Sequence, residues 1–172
     1  MPKRLANEIL DEVDKIENED ERVEYLIANQ TLGIKEVLAY NFQTQWKFLL
    51  PEGPAPIERS ENPPVGLEFS HLNFEMRKMY LFYEGGKPDL SQLKRETLWV
   101  TLLETLNEGE AKILDHMKDH TLTELYPNIT QEVAHRAFPD MIPKPTPIKE
   151  LLRDDKGRFI KKDKPKKKGS KK

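Results

Sequence analysis

Between Leu49 and Gly66 the chain carries Pro51, Gly53, Pro54, Pro56, Pro63, Pro64 and Gly66, and no helix or inner strand can run through such a stretch. Each proline removes a backbone donor, fixes its own φ and pushes the preceding residue into extended geometry. The interruption divides the chain into two regions of helical pattern joined by a long loop. Trp46, Phe48, Leu49 and Leu50 lead into that loop and are expected to pin an extended segment onto the helices, with room for a short strand.

Upstream, Leu5, Ile9, Leu10, Val13 and Ile16 recur at helical spacing, which predicts an amphipathic helix over about 5–17. Val23, Leu26 and Ile27 predict a second over about 20–29. Ile34, Val37, Leu38 and Phe42 predict a third, set off by a break at Thr31-Leu32-Gly33. Downstream, Leu72, Met76, Met79, Tyr80 and Tyr83 form one helical stripe that ends at Gly85-Gly86, where glycine can take the left-handed cap.

Asp89 or Ser91 can cap a helix reaching about Leu106. Its Leu98, Trp99, Val100, Leu102, Leu103 and Leu106 are apolar almost all round, so it is expected to be the central buried helix. Asn107-Glu108-Gly109-Glu110 has the spacing of a capping box and opens a helix to about Asp119 with Ala111, Ile113, Leu114 and Met117 inward. Asn128 or Thr130 can cap a last short helix holding Val133, Ala134, Ala137 and Phe138, which Pro139 stops. Pro139, Pro143, Pro145 and Pro147 then make a stiff connector, after which Ile148, Leu151 and Leu152 can form one docking turn.

Charge is segregated along the chain. Lys144 to Lys172 holds 13 basic side chains against four acids, net +9, which leaves residues 1–143 at net -11. Nine acids fall between Glu8 and Glu24 (Glu8, Asp11, Glu12, Asp14, Glu17, Glu19, Asp20, Glu21 and Glu24), against Lys15 and Arg22. The last stretch of the chain, Lys161 to Lys172, has nothing apolar to bury and repels itself, so the tail is expected to be disordered.

Composition narrows the function classes. With 34% charged and 37% hydrophobic residues, against about 25% charged in an average domain, the core is small and a large catalytic domain does not fit. The absence of cysteine excludes disulfide frameworks, cysteine zinc sites, iron–sulfur clusters and thiol catalysis. No apolar run approaches the ~18 residues of a membrane span, and the N-terminus lacks the pattern of a secretory signal. The expectation is a soluble intracellular protein.

Few residue groups point to chemistry. His116 and His120 stand four apart, the spacing at which two imidazoles on one helical face can share a metal, with His135 as a third candidate. The glutamate of a metalloprotease helix is missing, and the histidines read as polar flanks of an amphipathic helix, so neither a metal nor a cofactor is expected. Paired acids such as Asp11/Asp14 and Glu17/Glu21 read as a solvated face, not as general acid and base. Gly85-Gly86-Lys87 lacks phosphate-loop spacing and reads as a helix stop. No nucleophile motif appears, so the chain reads as non-enzymatic.

Met76-Arg77-Lys78-Met79-Tyr80 interleaves basic and aromatic residues as nucleic-acid surfaces do. The strongest binding feature is the tail, where Arg158, Lys161, Lys162, Lys164, Lys166, Lys167, Lys168, Lys171 and Lys172 can each displace a counterion from phosphate. Gly157 opens a turn beside them, and Phe159 can stack on a base or anchor the tail. The same charges can also fold over an acidic face of this chain or a neighbour.

Leu49-Leu50-Pro51-Glu52-Gly53, Arg77-Lys78-Met79-Tyr80-Leu81-Phe82, Lys94-Arg95-Glu96, Met117-Lys118-Asp119 and Ala137-Phe138-Pro139 resemble the corresponding strings of an uncharacterised family of small proteins of T-even-like tailed phages, including cyanophages, over about residues 5–140. The resemblance implies a viral protein made in the host cell cytoplasm. It implies no site residues.

Together these readings predict an all-α domain, small and irregular, of five to seven short helices around Trp99, Leu102, Leu103, Met79, Tyr80 and Leu38. Residues 1–140 form the acidic helical domain, 141–156 a proline-rich connector and 157–172 a disordered Lys-rich tail. The expected function is that of a phage accessory protein binding nucleic acid or another polyanion through the tail and an unidentified phage or host protein through the acidic domain. The alternative is a virion or assembly component whose tail contacts neighbouring subunits.

Overall fold

The apolar spacing of the N-terminal region builds three helices: α1 (Ala6–Lys15), α2 (Glu19–Ala28) and α3 (Leu32–Phe42). They belong to a computed structural model that describes residues 4–58 and 70–145. The expected docking turn at 148–152 and the 157–172 tail lie outside those residues. α1 turns Ile9, Leu10 and Val13 inward and leaves Asp11 and Glu12 in solvent. Asn18 caps α2 by accepting the Asp20 amide, and Thr31 caps α3 by accepting the Ile34 amide.

Thr31-Leu32-Gly33 is therefore a helix start and not a break. Gly33 lies inside α3 because the neighbouring segment crosses it closely. A Cβ at that position would sit 2.5 Å from Asn73 Oδ1 and 2.6 Å from Leu72 Cδ2.

After the proline-rich loop come α4 (Leu72–Glu75), a 3-10 helix (Met76–Leu81), α5 (Gln92–Thr105), α6 (Glu108–Lys118), α7 (Leu122–Leu125) and α8 (Gln131–Ala137). The architecture is all-α, with eight α-helices among the described residues. The four-residue α7 escapes the sequence pattern because one turn is too short to show a period.

The stripe expected over 72–83 divides at Glu75. A 3-10 helix turns once in about three residues, so Met76, Met79 and Phe82 align on the buried side while Tyr80 rotates out to 48% exposure. Tyr80 thus leaves the expected core. Trp99, Leu102, Leu103, Met79 and Leu38 remain in it. The helix gives way at its end because its last carbonyls are claimed from outside: Arg95 Nε donates to Leu81 O at 3.0 Å and the Leu49 amide to Phe82 O at 2.7 Å. An antiparallel bridge pairs Phe48 with Tyr83, which is what remains of the expected short strand. Gly85 takes a φ of +85° at the turn that follows.

α6, not α5, is the central helix. It packs against α1, α3, α5 and α7 and buries Ala111, Ile113, Leu114 and Met117 together with Glu110, Asp115 and Lys118. α5 buries one side only, through Trp99, Leu102, Leu103 and Arg95. The apolar pattern misleads at Leu98 and Val100, which are only half-buried. α8 closes the other side against α2, and Ile142 beyond it is fully buried.

Candidate functional site

The charged residues of α6 are bound to backbone on other segments. Asn107 caps the helix through the Gly109 amide. Glu110, the other half of the expected capping box, spreads its carboxylate between two further helix starts, accepting the Ala6 amide at 3.1 Å and the Leu72 amide at 3.0 Å. Helix N-termini carry unpaired amides and a partial positive charge, so one buried carboxylate satisfies both.

The other end of α6 holds the loop. The Lys118 side chain, 2% exposed, donates to Pro51 O at 2.9 Å, to Gly53 O at 2.8 Å and to the Asp119 carboxylate at 2.8 Å. Asp119 accepts the Gly53 amide at 2.9 Å. Asp115 accepts the Ala55 amide at 3.1 Å and Trp99 Nε1 at 3.2 Å. Burial pushes the Asp115 carboxyl above its usual range, and those two donors oppose the shift. Prolines 51, 54 and 56 leave this loop few donors of its own, so α6 supplies the cation and acceptors that fix it.

The pinned loop has a cavity on each side. A cleft of about 900 Å³ opens between it and the end of α6, with Lys47, Glu52, His116 and Glu124 on its walls. A smaller space of about 190 Å³ lies between the loop and α5, against Trp99 and Val100. The charges at the floor of the cleft are committed to the loop, and its ionisable groups nearest solvent are Lys47, Glu52 and Glu124.

The histidines do not converge. α6 ends at Lys118, so His120 lies past the helix with a φ of +57°. Its two ring nitrogens face Asn41 O at 2.7 Å and Trp46 O at 3.0 Å, which ties α6 to the end of α3. His116 Nδ1 pairs with Thr121 Oγ1 at 3.0 Å and His135 Nδ1 with Ile142 O at 2.6 Å. Among the described residues no three His, Asp or Glu side chains are grouped to hold a metal.

A different group does come together on the surface. Phe74 at the end of α4 and Arg77 and Tyr80 on the 3-10 helix are all exposed, and their three-residue spacing follows the period of the tighter helix. Phe74 is 52% exposed with the Arg77 guanidinium 5.5 Å from its ring centroid. Lys78 stands beside this series, paired with Glu75 at 2.7 Å. Helical periodicity places Tyr80 inside and says nothing of Phe74. The signal that identifies both is the recurrence of Phe74, Arg77 and Tyr80 every third residue.

The acidic residues of α1 and α2 form the expected solvated face, with Asp11, Glu12, Glu17, Glu19, Asp20, Glu21 and Glu24 exposed. Arg136 of α8 crosses to Glu19 at 2.7 Å and to Asp20 at 2.5 Å. All of the tail residues assigned to nucleic acid, Arg158, Phe159, Lys161, Lys162, Lys164, Lys166, Lys167, Lys168, Lys171 and Lys172, lie outside the described residues. No described helix is long and apolar enough to cross a membrane.

The fold and its surface thus define an all-helical protein organised on a charged central helix, with an exposed aromatic–guanidinium series on one flank. The chain belongs to a family of unknown function, DUF6433, whose model matches residues 9–124. The match takes in α6, the pinned loop and the Phe74–Tyr80 series, and it ends within α7. No curated protein and no solved structure matches the chain.

Proposed function

We propose that this is a non-enzymatic accessory protein that binds nucleic acid, with the basic C-terminus on the phosphates and the Phe74–Arg77–Tyr80 series on the bases. The observation that carries the reading is that series. Exposed aromatic rings alternating with a guanidinium offer faces on which successive unpaired bases stack, a sequence-tolerant contact. The nine Lys and Arg side chains of 157–172 supply the salt-sensitive part of binding. The buried charges of α6 are spent on holding the loop and two helix starts, which supports a binding role over a catalytic one. The acidic face of α1 and α2 is the surface proposed for a protein partner. The resemblance to small proteins of tailed phages supports an infected host cell as the setting.

Fluorescence anisotropy with a labelled single-stranded oligonucleotide tests this. The full chain is expected to bind with an affinity that falls by a log–log slope of about -0.7 per phosphate neutralised as salt rises. Deleting 157–172 removes most of that slope. Phe74→Ala with Tyr80→Ala weakens binding by about 10- to 100-fold at fixed salt, yet leaves binding to heparin, which has no bases, unchanged. Absence of binding at ~50 mM salt, or affinity indifferent to both changes, overturns the reading.

A further inference from the structure

We propose that the outer face of α5 is a self-association surface on which two copies of this chain pair antiparallel about a two-fold axis. The inference is independent of the nucleic-acid reading.

α5 is a 14-residue helix, about 21 Å long, that the fold covers on one side. Opposite its buried Arg95, Trp99, Leu102 and Leu103 run Leu93, Thr97, Thr101 and Glu104, all exposed, with Val100 half-buried among them. Thr97 Oγ1 donates to Leu93 O and Thr101 Oγ1 to Thr97 O, each at 2.9 Å. Both hydroxyls therefore spend their donor on their own helix, and the stripe offers mostly methyl groups between its charged ends.

Those ends run against the helix dipole. α5 has no acid in its first turn and no base in its last. Instead exposed Lys94 stands near the positive N-terminal end and exposed Glu104 near the negative C-terminal end, where each is unfavourable. The cap gives no relief, because the Ser91 side chain makes no hydrogen bond to the helix.

Antiparallel pairing reverses the arrangement. With Thr97 set against the partner's Thr101, Lys94 meets the partner's Glu104 and Glu104 meets the partner's Lys94. Each helix end then receives the charge it lacks. Two-fold symmetry makes the patch complementary to itself, so the contact closes as a dimer. One helix pair buries less than the ~1,600 Å² of a standard interface, so the dimer is weak, with a Kd of about 10–100 µM.

Sedimentation velocity on the full chain from ~1 µM to ~1 mM tests the proposal. The expected result is a monomer–dimer equilibrium. Lys94→Glu sets like charges against each other at two symmetric places and weakens it at least about tenfold. Lys94→Glu with Glu104→Lys exchanges the partners and restores it. Thr97→Arg, on the centre line, abolishes it. All three positions are exposed, and the thermal melt of each variant in dilute, monomeric solution is expected to stay within a few degrees of the parent. A strict monomer across the range overturns the proposal. So does a dimer that ignores Lys94→Glu and Thr97→Arg, or a double exchange that stays as weak as the single one.

Discussion

Glu110 and Ala6, 104 residues apart in the chain, are joined by a 3.1 Å hydrogen bond from the amide that opens α1 to a carboxylate on α6. The second oxygen of that carboxylate takes the Leu72 amide at 3.0 Å. One side chain thus secures the beginnings of two helices, and its burial is tolerable because both partners are donors at positive helix ends.

Glu110→Ala leaves both amides buried without an acceptor. The expected cost is about 3–5 kcal/mol of unfolding free energy, read as a fall in the urea midpoint. Glu110→Gln keeps one acceptor oxygen and is expected to lose about half as much.

Lys118→Met keeps the volume of the side chain and removes the cation that joins Pro51 O, Gly53 O and Asp119. Breaking a buried charged pair on one side costs about 3 kcal/mol. The local signature is hydrogen exchange: the amides of Gly53 and Ala55, held by Asp119 and Asp115, are expected to lose protection before those of α1 or α3.

At Gly33 two effects compete. Alanine would favour the helix by about 1 kcal/mol, but its Cβ would meet Asn73 Oδ1 at 2.5 Å and Leu72 Cδ2 at 2.6 Å. The Asn73 oxygen is also held in place by the Gly33 amide at 2.7 Å. Overpacking of this kind costs about 1–3 kcal/mol, so Gly33→Ala is expected to be neutral to destabilising by about 2 kcal/mol in a thermal melt. A stabilised variant would show that α3 and α4 are not in close contact.

Burial beside Trp46 and Tyr83, with the Tyr83 and Glu36 charges adding to it, pushes the Tyr40 hydroxyl up to about 12 from 10.0. Tyr126 moves in the same direction through burial and the nearby Asp11 and Asp14. Between those values the unfolded chain has released the Tyr40 proton and the folded chain has not. Stability is therefore expected to fall as pH rises above about 10. Urea midpoints measured from pH 9 to pH 11 should decline less steeply in Tyr40→Phe, with the residue due to Tyr126 remaining.

Much of the helical framework was legible in the pattern of apolar residues. α1, α2, α6 and α8 emerge within a few residues of their bounds because each has an inward stripe, and α6 and α8 also have a recognisable start at Asn107 and Thr130. The segment from Leu72 to Tyr83 misleads because it begins as an α-helix and changes period at Met76, and periods of 3.0 and 3.6 part by about 20° per residue, enough over the four residues from Met76 to turn Tyr80 outward. The central role of α6 was illegible for another reason. Its Glu110, Asp115 and Lys118 look like surface residues, and their partners at Ala6, Leu72, Pro51, Gly53 and Ala55 are distant in sequence. His116 and His120 share a helical face only if the helix continues beyond Lys118, and nothing in their spacing says that it stops there.

The carboxylate that opens two helices has a consequence for the order in which the molecule can assemble. A ribosome delivers α1 and α4 well before residue 110, and until then the amides of Ala6 and Leu72 have only water to meet. The nascent first half therefore lacks the acceptor that fastens those two starts. Settlement comes late in translation, when the sixth helix emerges and fastens what was made before it.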